Sequence, residues 1–207
     1  MLVAMVGLEA ACLWAAPRGN ATATTPTPHH VLVTDSGAWP WGGVILDVDL
    51  ASGRREIVVA GLDLPLYAAF DPAGCIWFTG AGRIARLCRV EGQGWTLSGS
   101  VSLPSPGYAL GLAVDRRGKI LCATFSGVVQ IDTTTLSVEE VANLPGAIGL
   151  AVCENDDVIV LMRNPARLVR VSRHSGKVTP VSEGGLLQMP QSLVLNGHDL
   201  FVSDVSD

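Results

Sequence analysis

The sequence predicts an all-β fold, a β-propeller of four-stranded antiparallel blades, and two observations carry the prediction. The first is a repeat. Ile76-Trp77-Phe78-Thr79-Gly80 has counterparts that begin at residues 31, 120, 158 and 200, so successive starts lie 45, 44, 38 and 42 residues apart. A period of about 40–45 residues is that of a four-stranded blade. The second is the short-range pattern. From Val31 onward, short apolar or alternating runs are bounded by Gly, Pro, Asn and Asp, and no window keeps a helical i, i+3, i+4, i+7 stripe.

Each element of the unit recurs in order. The first strand is Ala68-Ala69-Phe70-Asp71, with copies at Leu112-Ala113-Val114-Asp115, Leu150-Ala151-Val152-Cys153 and Leu193-Val194-Leu195-Asn196. Its small and aliphatic residues suit the crowded channel wall. A polar or glycine turn follows, as in Pro72-Ala73-Gly74 and Arg116-Arg117-Gly118, and then the second strand. Third strands are expected over residues 44–49, 84–90, 128–132 and 168–171. Turns such as Asp49-Leu50-Ala51-Ser52-Gly53 and Asp132-Thr133-Thr134-Thr135 lead to a fourth, more polar strand on the rim. Each set closes on a corner: Leu64-Pro65, Leu103-Pro104, Leu144-Pro145 or Met189-Pro190. The repeats span residues 29–207, about four to five blades. They begin and end in second strands, so the expectation is part of a six-bladed ring, or an open assembly with an unpaired edge.

Composition narrows the function classes. With 48% of residues hydrophobic and 16% charged, a large core is expected and extended disorder is not. A net charge of −5 with scattered basic residues leaves no footprint for nucleic acid. Cys12, Cys75, Cys88, Cys122 and Cys153 are odd in number and lack Cys-x-x-Cys spacing, so they read as small thiols rather than a disulfide framework or zinc site. Residues 1–28 form an apolar segment and a Thr/Pro linker. Glu9 interrupts the apolar run and no basic n-region precedes it, so an export signal and a short helix both stay open. Export would make the protein secreted or periplasmic; otherwise it is cytoplasmic. The run is too short for a comfortable membrane span.

Residues Phe70-Asp71-Pro72-Ala73-Gly74-Cys75-Ile76-Trp77-Phe78-Thr79 and Gly82-Arg83-Ile84-Ala85-Arg86-Leu87 resemble a blade of the virginiamycin B lyase group. Val48-Asp49-Leu50-Ala51-Ser52-Gly53 and Leu200-Phe201-Val202-Ser203-Asp204 are similar to NHL-repeat and gluconolactonase-like (SMP-30) six-bladed, TolB-like propellers. The lyase resemblance implies a His and a Glu-x-His pattern, which His29, His30, His174 and His198 do not form. The gluconolactonase resemblance implies a divalent cation, Ca²⁺ or Mg²⁺, with Asp204 at a ligand position; Gln191 stands where that family has Asn.

In such a ring, loops joining second to third strands and loops joining blades emerge on one face. That face is expected to collect Asp35, Ser36, Trp39, Trp41, Tyr67, Tyr108, Arg163, Asn164, Gln191, Asp204 and Asp207. Aromatic rings with a few amides and charges suit a small molecule, peptide or protein segment. Trp39 and Trp41 could equally cap the channel. Tyr67 and Tyr108 both follow a blade corner, which reads as a repeated structural role. Asp35 and Asp204 share a repeat position and could hold a cation or bond loop amides. The leading expectation is a non-catalytic binding module. A metal-dependent hydrolase using Asp204, or a lyase-like enzyme lacking its catalytic part, remains the alternative.

Overall fold

A computed structural model describes residues 30–37, 42–80, 82–103, 108–183, 185 and 187–205. Every strand pairing is antiparallel, and no helix occurs among the described residues. Three sheets are complete blades. The first of these holds β4 (Ala68–Phe70), β5 (Ile76–Gly80), β6 (Arg83–Val90) and β7 (Gly94–Ser102). The next holds β8 (Ala109–Val114), β9 (Ile120–Thr124), β10 (Gly127–Ile131) and β11 (Val138–Asn143). The third holds β12 (Ala147–Val152), β13 (Val158–Arg163), β14 (Ala166–Val171) and β15 (Val178–Glu183). A three-stranded sheet precedes them, β1 (His30–Asp35), β2 (Gly43–Asp49) and β3 (Arg55–Leu62), and a two-stranded one follows, β16 (Pro190–Asn196) and β17 (Asp199–Asp204). We number these five sheets as blades one to five. The inner strands stand side by side along the arc, β4 beside β8, β8 beside β12 and β12 beside β16.

The second strands read as continuous apolar runs because both of their faces are covered. Strand alternation sends successive side chains to opposite neighbours. In β5, Ile76 and Phe78 join Leu32 and Ile45 of blade one, whereas Trp77 joins Ala109, Leu112 and Ile120 of blade three. In β9, Ile120 and Cys122 face blade two, while Leu121 and Ala123 pack with Val158, Val160 and Met162 of blade four. In β13, Ile159 and Leu161 turn to Leu193 of blade five. The core is thus a row of inter-blade clusters, and the fourth strands, such as β3 and β11, are largely exposed rim.

At the ends of the inner strands, buried carboxylates tie the turns. Asp71 Oδ1 accepts the amides of Ala73 and Cys75 at 2.9 Å, and its Oδ2 accepts Trp77 Nε1–H at 3.0 Å. Asp115 repeats this with the amides of Arg117 (2.9 Å) and Lys119 (2.8 Å). No tryptophan follows it, and its Oδ2 instead accepts from Arg173 of blade four at 2.8 Å. Arg173 also donates to Gln130, and so fastens blade four to blade three. Arg86 makes the analogous bridge from blade two, donating to Thr133 O at 3.0 Å with its guanidinium 5.4 Å from the Trp77 ring centroid.

The cysteines correct an expectation. Cys75 and Cys88, expected as separate thiols, form a disulfide with Cα atoms 4.4 Å apart. The antiparallel register sets Ile76 against Leu87, which brings the residues on either side of that pair face to face. Sequence spacing could not show this, because the pairing spans the β5–β6 hairpin. Among the described cysteines Cys122 is buried and Cys153 half-buried, both unpaired, and burial pushes both thiols up. Closing a loop with a sequence separation of 13 is expected to contribute about 2–3 kcal/mol. Urea denaturation with and without reductant should show that loss, and Cys75→Ser/Cys88→Ser should reproduce it in the absence of reductant. An unchanged midpoint would show that the bond does not form in solution.

Candidate functional site

Second-to-third-strand turns and blade connectors meet on one face. The Leu103 amide donates to Gly82 O at 3.3 Å, Leu144 to Ser126 O at 3.2 Å, Gly146 to Phe125 O at 3.1 Å and Val205 to Met189 O at 3.1 Å. Thr34 Oγ1–H donates to Leu66 O at 3.1 Å, joining blade one to blade two in the same way. The first-to-second-strand turns, with Asp71, Asp115, the disulfide and His198, lie at the other end of the strands, as does His174 in the β14–β15 turn.

Register separates Tyr67 from Tyr108. Phe70 pairs with Ile76 as Val114 pairs with Ile120, so Tyr67 stands at the position of Gly111, and Tyr108 lies further out. Gly149 and Ser192 occupy that position in blades four and five. At Gly111 the smallness has a cause: a Cβ would sit 2.8 Å from the Gly149 Cα, so β8 and β12 approach too closely for a side chain there. Tyr67 is the exception. It is buried at 7% exposure, whereas Tyr108 is 44% exposed, so the two do not share a repeated role. The Tyr67 hydroxyl reaches the Gln191 carbonyl oxygen at 3.5 Å, joining blade two to blade five.

Gln191 is the second centre of the mouth. It falls in the irregularity of β16 between Pro190 and Ser192, where β8 and β12 carry Leu110 and Ile148. A bulge re-aims the residue it holds. Gln191 Oε1 accepts from Arg163 Nη2 at 3.2 Å, and its Nε2 donates to Met189 O at 3.3 Å. Of the residues the sequence singles out, the structure therefore brings together Tyr67, Arg163 and Gln191, from three blades.

The others are placed more locally. Asp35 accepts the Gly37 amide at 2.7 Å. Asp204 accepts the amides of Gln188 at 2.8 Å and Met189 at 3.1 Å, so both of its oxygens hold the connector that carries Gln191. Asn164 is exposed in the β13–β14 turn beside Arg163. Among the described residues, no group of three or more His, Cys, Asp or Glu is placed to hold a metal ion. Trp39, Trp41 and Asp207 lie outside the described residues. Ser36, Gly37, Gly42, Gly61, Leu62, Asp63 and Leu64 line a cavity of about 180 Å³. The sequence reading missed Phe125, a large apolar side chain 50% exposed in the two-residue β9–β10 turn. The available signal was Phe at a turn position, where small polar residues are usual.

No protein-family model matches the chain, and no curated protein matches it. Solved structures do. A streptogramin B lyase superposes with TM-score 0.62 at 18% identity, over 79% of this chain and 54% of the lyase chain. Virginiamycin B lyase from Staphylococcus aureus gives 0.63 at 17% identity, over 85% and 60%. A chain of a nidogen/laminin complex gives 0.68 at 17%, over 85% and 68%. The chain thus spans between 54% and 60% of the length of the two lyases. Likeness at this identity speaks for fold alone. The internal repeat, the four-stranded blades and these superpositions together identify the chain as a β-propeller protein.

Proposed function

We propose that the chain is a non-catalytic binding module that holds a small molecule, peptide or protein segment at the mouth face organised by Gln191. The observation that carries the reading is the convergence of Tyr67, Arg163 and Gln191 from blades two, four and five on hydrogen bonds at 3.5 and 3.2 Å. A polar hub at a position that is aliphatic in two sister blades is a local departure from the repeat, and departures of this kind concentrate at functional sites. The same face carries the exposed side chains of Tyr108 and Phe125. Structural neighbours that include lyases and a chain of a nidogen/laminin complex do not favour one chemistry.

Ligand-observed NMR with a library of acidic, basic and neutral aromatic compounds tests the reading. A subset should bind unchanged in structure, and Gln191→Leu should weaken that subset at least about tenfold, a loss of one or two hydrogen bonds. Leucine is the residue that the repeat itself carries at the equivalent place, Leu110. Binding untouched by Gln191→Leu would place the site elsewhere. Conversion of a bound compound to a new species would make the chain an enzyme. Ca²⁺ or Mg²⁺ dependence lost on Asp204→Ala would support the hydrolase alternative.

A further inference from the structure

Resting on that reading of the mouth, we infer that its ligand pairs an anionic group with an aromatic ring, the anion on Arg163 and the ring against Phe125. The two residues pair through their backbones with opposite sides of a third. Gly146 donates its amide to Phe125 O at 3.1 Å and accepts the Arg163 amide on its own oxygen at 2.9 Å. Gly146 has φ +90°, a backbone state that side chains rarely adopt, so the position between them stays bare. A Cβ there would rest at ordinary contact distance on the Asn164 backbone, 3.5 Å from its oxygen, so the bare glycine keeps that strip of backbone low. An exposed aromatic residue and an exposed cationic one thus flank a glycine strip, and each forms one wall of the candidate subsite.

The chemistry of each wall restricts the occupant. Phe125 is 50% exposed, and Tyr108 is 44% exposed and follows the same ladder, since Ala109 pairs with Thr124. Two exposed aromatic residues next to one paired position offer stacking area for a planar group. Arg163 is exposed, and among the described residues its guanidinium donates to the neutral Gln191 amide. Among the described residues it makes no ion pair, unlike Arg116, Arg117 and Arg173. A guanidinium anchored on one edge by a neutral acceptor keeps its other N–H donors for a carboxylate, which they match two at a time. The net charge of −5 gives no long-range attraction for an anion. Recognition is therefore local, within the distance of about 8 Å over which salt leaves charges unscreened.

N-acetyl-phenylalanine and its neutral amide separate the two walls by isothermal titration with the full chain. The acid is expected to bind about tenfold tighter than the amide. Arg163→Gln should bring the acid down to the amide while leaving the amide unchanged. Arg163→Lys should recover only part of the difference, because the ammonium lacks the planar pair of donors. Phe125→Ser should weaken both compounds. Equal affinity of acid and amide, with both lost in Gln191→Leu, would overturn the anionic class and leave the mouth as the site. Affinity that Gln191→Leu leaves unchanged would overturn the mouth itself. No binding of either compound at millimolar concentration would also overturn the class.

Discussion

Trp77→Ala is expected to lower stability by about 3–5 kcal/mol, the range for truncating a buried tryptophan. Trp77 is fully buried between blades two and three, among Ala109, Leu112, Val114 and Ile120. Its removal opens a cavity at an interface built from rigid strands, which can relax only partly. It also takes the indole N–H from Asp71, a carboxylate 6% exposed whose other oxygen holds two turn amides. Trp77→Phe isolates the second effect. It keeps an aromatic ring in the cluster and should cost about 1–3 kcal/mol, the range for leaving a buried polar group unpaired. Urea midpoints at constant slope measure both losses. A loss below about 1 kcal/mol in Trp77→Ala would show that the blade interface is not packed through this residue.

Asp115→Ala should cost a similar amount for an electrostatic reason. The Asp115 side chain is wholly buried and Arg173 keeps only 14% of its side-chain exposure. Removing the carboxylate leaves the guanidinium half-satisfied and frees the amides of Arg117 and Lys119. Breaking a buried pair in this way costs about 3–5 kcal/mol, more than the pair itself contributes. Asp115→Ala/Arg173→Met separates the two quantities. With no charge left uncompensated, the double variant should be more stable than Asp115→Ala alone, and the coupling energy follows from the cycle. Additive losses would mean that Arg173 finds water instead. Asp71→Ala, whose second oxygen meets an indole rather than a cation, provides the neutral comparison.

The scaffold was readable because burial on both faces writes itself into sequence. Ile120-Leu121-Cys122-Ala123 shows no alternation since each side chain meets one blade or the other, and that unbroken run is what repeats. The buried turn aspartates, Asp71 and Asp115, fix the same frame to the residue. Tyr67 and Tyr108 look equivalent only because each comes soon after a Pro corner, two residues after Pro65 and four after Pro104. Connectors vary in length, whereas the ladder between first and second strands does not. From Asp71 and Asp115 the same arithmetic puts Tyr67 on Gly111. The disulfide was hidden because it depends on cross-strand register rather than on spacing. The mouth was legible as a face. That Gln191 would be its hub was not, because a bulge residue is recognised only once both partner strands are aligned.

The Tyr67–Gln191 contact also bears on how the chain assembles. It joins residues 124 apart, while each hydrophobic cluster is shared between sequential neighbours. Blades can therefore condense one upon the next at low entropic cost, but the mouth cannot exist until the fifth is in place. The Tyr67–Gln191 contact therefore closes late in assembly, and loosening blade five breaks it before it disturbs the cluster between blades two and three.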